Sequence, residues 1–284
     1  MFSAIRSIAV CGAGTMGAGI AETAARHGFA VVLFDREEKA LVRAEAQVRS
    51  ELDKSVEKQK ISETAAAAIL EKLRFSRVLA DCSADLVVEA IVEKMEAKTG
   101  LFKELYELNG ARTMYCSNTS SLSITAMAMV FPEPARLLGL HFFNPATHMK
   151  LVEVVETSYS DKATVQTLLQ FVKDLGKTPV KCKDAPGFIV NRVARPYYIE
   201  ALRLAEEGLP VETIDHLMES AGFRMGPFRL MDLIGNDINY AVSCSVYEQL
   251  QKPERLLPSP LQQQKLAEGK LGRKSGEGFY TYPA

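Results

Sequence analysis

The 284-residue chain lacks the features that mark several specialised classes of protein. Its five cysteines are scattered and form no CxxC pair or cluster with histidine, so the sequence indicates neither a disulfide framework nor a metal site. The formal net charge is −1, so the chain has no overall attraction to nucleic acid or to an anionic membrane. No apolar run approaches the length of a membrane span, and no signal-peptide pattern precedes the first apolar run. We therefore expect a cytoplasmic protein with neither nucleic acid nor a membrane as partner.

The first two thirds of the chain alternate short apolar runs with segments of helical spacing. Residues 15–27 predict a helix, and residues 37–60 with 62–73 predict a helical hairpin beside the sheet. The predicted strands are residues 5–10, 30–34, 86–90, 114–117, 137–141 and 151–155. Strands that alternate with helices predict an α/β fold with a parallel, doubly wound sheet.

The pattern changes after Lys181, where the segment "KDAPGFIVNR" introduces a proline and a glycine. No clear strand run follows until the tail. The helices predicted in this part are residues 188–207, 211–221, 228–250 and 260–268. We therefore predict two domains, a nucleotide-binding α/β domain over residues 1–186 and an all-helical domain over residues 187–284.

The stretch "VCGAGTMGAGI" contains glycines in the spacing GxGxxG, at Gly12, Gly14 and Gly17. It follows a predicted strand and opens a predicted helix, which is the context in which this spacing binds a dinucleotide. Gly12 provides the tight turn, Gly14 lets the backbone approach a pyrophosphate, and Gly17 lets the helix pack closely on the strand. The residues expected to touch the cofactor here are Gly12, Ala13, Gly14, Thr15, Met16 and Gly17.

Asp35 ends the second predicted strand and bears on the choice of cofactor. A carboxylate at this place accepts hydrogen bonds from the adenine ribose and repels a 2′-phosphate, which favours NAD over NADP. Arg36 follows directly and could receive that phosphate. We expect NAD as the cofactor, and Arg36 leaves NADP open.

Four further stretches carry side chains suited to chemistry, "SNTSSLSI", "GLHFFNPATHMKLVEVVE", "KDAPGFIVNR" and "LGRKSGEGFY". Taken singly, each has an ordinary structural explanation. His141 could be a core histidine at a strand end, Glu153 a surface acid, Ser120 a helix cap and Asn191 a hydrogen-bonding residue on a helix.

Together and in this order, these stretches resemble the L-3-hydroxyacyl-CoA dehydrogenase family, and especially its stand-alone bacterial 3-hydroxybutyryl-CoA dehydrogenases. The resemblance runs from the opening glycines to Tyr280. It implies a Rossmann-like domain with a helical hairpin insertion, followed by a helical domain that forms a homodimer. It also implies reversible, NAD-dependent oxidation of a 3-hydroxyacyl-CoA to the 3-ketoacyl-CoA, with an acyl-CoA as the partner molecule.

The resemblance assigns roles to individual residues of this chain. His141 matches the catalytic histidine, and Glu153 matches the acid that orients it. Ser120 and Asn191 match residues that hold the reacting end of the substrate, and Asn144 matches one at the junction of cofactor and substrate. The active site is then expected in a cleft between the domains, which closes when substrate binds. Further cofactor contacts are expected at Glu93, Lys98 and Ser120.

The contacts to CoA are expected on the hairpin, at Ser50 and Lys58. Most of the lysines and acids there are better explained as a solvated helix face with i,i+4 pairs. The chain departs from the family pattern at Glu51, where relatives often carry serine, and at His148, within "NPATHM" in place of "NPVPVM". An acid beside an anionic ligand puts that CoA contact in doubt.

Two alternatives therefore stay open. One is a related dehydrogenase of the gulonate or carnitine type, which acts on a hydroxyacid without CoA. The other is a non-catalytic binding protein on the same fold, like the lens crystallin relatives.

Overall fold

A computed structural model describes residues 5–283. The chain divides into two compact units, one that ends at Asp184 and one that begins at Ala185. The functional assignment of residues 1–186 and 187–284 to two domains stays a prediction. Among residues 5–283, no helix has both the length and the apolar character that a membrane span requires.

The first unit is built on one sheet whose central strands are buried from end to end. The strands are β1 (Ser7–Cys11), β2 (Ala30–Phe34), β3 (Leu73–Ser76), β4 (Leu86–Glu89), β5 (Met114–Ser117), β6 (Leu137–Phe142), β7 (Leu151–Glu156) and β8 (Thr178–Lys183). They are ordered β3-β2-β1-β4-β5-β6-β7-β8. Near-continuous runs of Val, Leu and Ile suit strands that are covered on both faces, and they confirm the predicted α/β class.

The sheet is mixed rather than wholly parallel, so the expectation of a parallel sheet was wrong at one pair. β6 and β7 run antiparallel, and β8 is parallel to β7. Only residues 143–150 join β6 to β7. A connection of that length is too short for the crossover that a parallel pair requires, so the chain has to turn back on itself.

Two strands were not predicted, and both lie at the edges of the sheet. β3 begins at Leu73, where the hairpin was expected to end, and β8 carries Pro179 and three exposed side chains. Edge strands tolerate proline and charge because one side of the strand makes no ladder bonds. Their sequences therefore lack the apolar run that marks the buried strands.

Within residues 5–184, six α-helices accompany this sheet. They are α1 (Thr15–Arg26), α2 (Glu38–Glu57), α3 (Glu63–Glu71), α4 (Met95–Asn109), α5 (Ile124–Met129) and α6 (Lys162–Asp174). α2 and α3 form the predicted hairpin, and Ser62 caps α3 by accepting a hydrogen bond from the Ala65 amide. α2 places Leu41, Val48 and Leu52 in the core of the unit, which fixes its charged side outward.

The second unit is helical, as expected. Its helices are α7 (Val190–Glu206), α8 (Val211–Ser220), α9 (Pro227–Ile234), α10 (Asn236–Gln249) and α11 (Pro260–Ala267). The single helix predicted over residues 228–250 is two helices, because Gly235 adopts a φ of 102° between them. That left-handed conformation is accessible to glycine and ends α9.

The glycine-rich tail "LGRKSGEGFY" is anchored by a buried carboxylate of α9. Asp232 accepts hydrogen bonds from the amides of Phe279 and Tyr280 and from the hydroxyl of Tyr282. A Cβ on Gly278 would lie 2.0 Å from Asp232 Oδ1. Glycine is therefore required here by close packing, which gives this stretch a structural role.

Candidate active site

The glycine turn between β1 and α1 has two glycines that the chain itself requires. Gly12 has a φ of 109°, and a Cβ there would lie 2.5 Å from the carbonyl oxygen of Ala90. A Cβ on Gly17 would lie 1.7 Å from the carbonyl oxygen of Gly12. Both positions exclude any side chain, so the turn and the helix can approach each other closely.

At Gly14, no steric contact with the described residues and no positive φ requires glycine. Apart from its chain neighbours, no described atom lies within 4 Å of the place a Cβ would take. Gly14 and Thr15 are exposed and Met16 is half-buried, and α1 begins here without a side-chain cap or an acid in its first turn, as far as residues 5–283 are concerned. Free backbone amides beside open space fit the pyrophosphate of a dinucleotide.

Asp35 is fixed by the backbone on both sides. Its Oδ2 accepts a hydrogen bond of 2.7 Å from the Ala13 amide, and its Oδ1 accepts one of 2.9 Å from the Glu37 amide. A cavity of about 320 Å³ opens beside Gly12 and Asp35, which is within the size range of small-molecule sites. The turn, the acid and the cavity together fit the adenosine end of NAD.

A buried ion pair lies between β4, β5 and α4. The Lys98 ammonium contacts Glu89 Oε1 at 2.6 Å, and both side chains are at most 1% exposed. Glu89 also accepts hydrogen bonds from the Ser117 hydroxyl and the Ile91 amide. Burial raises the pKa of Glu89, and Lys98 with these donors offsets part of that rise.

Glu93 joins this ion pair to the loop that carries Ser120. It accepts hydrogen bonds from the Thr119 hydroxyl, the Ser120 amide at 3.2 Å and the Ser121 hydroxyl at 3.0 Å, and Lys98 lies 3.1 Å away. Burial would raise the pKa of Glu93, but Lys98 and the hydroxyl donors lower it overall. Glu93 and Lys98 therefore hold the Ser120 loop, and their contact with the cofactor stays a prediction.

His141 and Glu153 face each other across the antiparallel pair β6 and β7. They are register partners, and His141 Nδ1 lies 2.7 Å from Glu153 Oε2. Glu153 is fully buried and His141 is 5% exposed. The short connection that makes β7 antiparallel thus places an imidazole directly opposite a carboxylate, and the carboxylate holds the proton of the imidazole on Nδ1.

Two side chains that were not predicted as site residues, Asn118 and Lys177, support the end of β6 and the loop that follows it. Asn118 Oδ1 accepts a hydrogen bond of 2.9 Å from the Phe142 amide. Lys177 donates to the carbonyls of Ala146 at 2.5 Å and Met149 at 2.7 Å, which ties down the loop that bears the exposed Asn144. Of these two residues, Asn118 could have been found from the sequence, because it lies within the motif "SNTSS", whereas Lys177 lies in none of the motifs.

His148 lies on the surface of the same loop and contacts the hydroxyl of Thr147. On α2, Ser50 is exposed, and Lys58 is exposed at the end of the helix. Glu51 pairs with Lys54 at 3.0 Å, and this contact lowers the pKa of Glu51. The acid that departs from the family pattern is thus partly neutralised by its own helix.

Asn191 lies in the first turn of α7, in the second unit. Its carbonyl accepts a hydrogen bond of 3.0 Å from Arg195, which also donates to the carbonyl of Asn239 and the hydroxyl of Ser243 on α10. Burial lowers the pKa of Arg195 to about 10. Arg195 therefore joins α7 to α10, a role that was not predicted from the sequence. The predicted cleft and its closure stay predictions.

Two family models match the chain. The NAD-binding domain of 3-hydroxyacyl-CoA dehydrogenase matches residues 7–185, and the C-terminal domain of 3-hydroxyacyl-CoA dehydrogenase matches residues 187–282. The boundary between the two matched regions lies at residues 185–187, beside Gly187.

Named relatives resemble the chain over nearly its whole length. It is 46% identical to the 3-hydroxyadipyl-CoA dehydrogenase of Escherichia coli, over 99% of this chain and 60% of the relative. It is 44% identical to the mitochondrial hydroxyacyl-coenzyme A dehydrogenase of Sus scrofa, over 98% of this chain and 91% of the relative. The chain thus spans about three fifths of the first protein and most of the second.

Solved structures agree with these sequence matches. The 3-hydroxybutyryl-CoA dehydrogenase of Escherichia coli superposes with a TM-score of 0.95 at 45% identity, covering 99% of this chain and 60% of that one. The (S)-3-hydroxybutyryl-CoA dehydrogenase of Ralstonia eutropha superposes with a TM-score of 0.94 at 36% identity, covering 99% and 100%.

Replacing Lys98 by methionine tests the ion pair beneath the Ser120 loop. The change leaves the buried Glu89 carboxylate without its cation, so we expect Lys98→Met to lower the free energy of unfolding by about 3–5 kcal/mol. Urea unfolding at neutral pH measures the loss. Lys98→Met combined with Glu89→Gln should recover part of it, because the uncompensated charge is then gone.

Lys103→Met is the matched control, because Lys103 lies on the same helix but is exposed. It should change the free energy of unfolding by no more than about 0.5 kcal/mol. An equally small effect of Lys98→Met would contradict the assignment of Lys98 as the essential partner of Glu89.

Proposed function

The chain belongs to the 3-hydroxyacyl-CoA dehydrogenase family, and on that premise we propose that it oxidises an (S)-3-hydroxyacyl-CoA to the 3-ketoacyl-CoA with NAD. The reaction is reversible, and 3-hydroxybutyryl-CoA is the proposed substrate. Support comes from two family models that match residues 7–185 and 187–282 and from relatives named for such substrates.

The observation that carries the proposal is the contact between His141 and Glu153. When bound, NAD supplies the acceptor for the hydride that leaves the carbinol carbon. His141 Nε2 takes the hydroxyl proton, since Nδ1 holds its own proton against Glu153. An imidazole suits this task because its unperturbed pKa is about 6.5. Glu153 stabilises the imidazolium that results, so the pair resembles two thirds of a catalytic triad.

Other residues hold the reactants. Gly12, Gly14 and the first turn of α1 take the pyrophosphate, and Asp35 takes the adenine ribose. In this proposal Ser120 and Asn191 each donate to oxygens at the reacting end of the substrate, and Asn144 contributes at the junction of cofactor and substrate. These contacts align the carbinol with the hydride acceptor, which is where much of the acceleration arises.

We propose that the CoA end of the substrate binds along α2 and at its C-terminal end. Ser50 and Lys58 are exposed there and offer a hydroxyl and an ammonium to phosphate oxygens. The pairing of Glu51 with Lys54 reduces the repulsion that an unpaired acid would add. The placement in the cytoplasm stays a prediction.

Acetoacetyl-CoA and free acetoacetate, each supplied with NADH, distinguish the proposal from its alternatives. We expect oxidation of NADH with the thioester and at least about tenfold lower kcat/KM with the free acid, because the free acid lacks the CoA contacts. Absorbance at the NADH band measures both rates. Equal rates would favour a CoA-independent dehydrogenase, and binding of NADH without turnover of either would favour a non-catalytic protein.

Replacing His141 by glutamine tests the acid–base assignment. We expect His141→Gln to lower kcat by about 10²–10⁴-fold, the usual contribution of a positioned acid–base group. The Kd for NADH, measured by fluorescence, should stay within about twofold, because one imidazole contributes little to binding the whole dinucleotide.

His216→Gln is the control, since His216 is exposed on α8 and belongs to no proposed site. Glu153→Gln should also lower kcat, because the amide can hold the wrong tautomer of His141. Wild-type turnover by His141→Gln would overturn the mechanism.

We also propose that the second unit forms a homodimer. It exposes large apolar side chains, among them Val193 at 72%, Leu217 at 58% and Ile238 at 50%. Apolar surface of this kind is typical of subunit contacts. Sedimentation equilibrium of the full chain should give twice its mass of 31.3 kDa. A mass that stays at the monomer value at micromolar concentration would contradict the proposal.

A further inference from the structure

The chain carries both determinants of cofactor choice at the end of β2, an acid at Asp35 and an arginine at Arg36. An acid there recognises the ribose hydroxyls of NAD, whereas a nearby arginine accommodates the 2′-phosphate of NADP. We propose that Glu104, on α4, settles this choice in favour of NAD by holding Arg36 away from the phosphate position. The inference rests on the proposed function for its cofactor, and it assigns a specificity role to Glu104.

The contact between Arg36 and Glu104 joins residues far apart in the sequence. One terminal nitrogen of the Arg36 guanidinium donates to both carboxylate oxygens of Glu104, at 2.7 and 2.8 Å. Charge-assisted contacts of this length are among the stronger hydrogen bonds of proteins. The arginine that could bind a phosphate is therefore engaged by a carboxylate of the protein.

Asp35 does not share in this pairing. Its two oxygens accept hydrogen bonds from the amides of Ala13 and Glu37, which fixes the carboxylate at the glycine turn. Asp35 is thereby held for the ribose, and Arg36 is held by Glu104. Backbone amides near the glycine turn and at Glu37 therefore position Asp35, whereas a side chain of α4 positions Arg36.

The cavity beside Asp35 has a charge balance that opposes a phosphate. Its lining includes the carboxylates of Asp35, Glu96 and Glu104 and the guanidinium of Arg36. A phosphate monoester carries a charge of about −1.5 to −2 at neutral pH. It would meet three carboxylates and one cation that is already paired, so the 2′-phosphate of NADP is repelled.

The pair of Arg36 and Glu104 is too exposed to be important for stability. The side chains of Arg36 and Glu104 are 67% and 46% exposed, and ion pairs as exposed as this one contribute little to folding. Changing Glu104 should therefore leave the fold intact. It removes one repelling charge and releases one cation, and both changes favour a 2′-phosphate.

Binding of adenosine 2′,5′-bisphosphate and of 5′-AMP to the full chain tests this role, because these probes differ only in the 2′-phosphate. By calorimetry at low salt, we expect Glu104→Gln and Glu104→Ala to tighten the bisphosphate by about three- to tenfold relative to 5′-AMP, the effect of one exposed charge contact. The ratio of kcat/KM for NADPH and NADH with acetoacetyl-CoA should rise in parallel. Adding Arg36→Met to either variant should remove most of the gain.

Glu45→Gln is the matched control, since Glu45 pairs with Arg49 on α2 at similar exposure but lines no part of the cavity. Its ratio should match the wild type. The proposal fails if the Glu104 variants leave the ratio unchanged, shift both probes equally, or keep their gain without Arg36. Absence of turnover with acetoacetyl-CoA would instead overturn the proposed function, and the binding ratio would still decide the role of Glu104.

Discussion

Two strands that run in opposite directions hold His141 and Glu153 in contact, and the proposed chemistry depends on their register. A shift of one residue along β7 would turn Glu153 to the other face of the sheet and leave the imidazole facing an apolar side chain. The register is secured on both sides, because β7 also pairs along its length with β8. The edge strand therefore serves the site without contributing a side chain to it.

Buried charge is concentrated below the loop that carries Ser120. Burying the charges of Glu89 and Lys98 costs a desolvation free energy that a pair of apolar side chains would avoid. What the chain gains is a fixed loop, since Lys98 also contacts Glu93, and Glu93 binds the amide of Ser120. Ion pairs of this kind trade some stability for the position of neighbouring groups, and here that neighbour is a proposed substrate contact.

The sequence predicted the α/β class, the glycine turn and the helical second part, because these depend on local spacing. The direction of β7 was missed, although the short segment 143–150 contained the necessary information. Asn118 and Arg195 were missed for another reason: each binds a distant backbone group that only the folded chain brings near, the Phe142 amide for Asn118 and the Asn239 carbonyl for Arg195. The pairing of Arg36 with Glu104 spans 68 residues and has no local signature at all.

The anchoring of the tail on Asp232 has a consequence for biosynthesis. During translation this carboxylate emerges from the ribosome well before Phe279 and Tyr280, whose amides it accepts. Until those residues are made, the Asp232 carboxylate has the Asn236 side-chain amide as a donor but lacks the Phe279 and Tyr280 amides and the Tyr282 hydroxyl, so its burial is poorly compensated. The helical unit can therefore complete its packing only after residues 279–282 leave the exit tunnel, whereas the sheet has all of its strands much earlier.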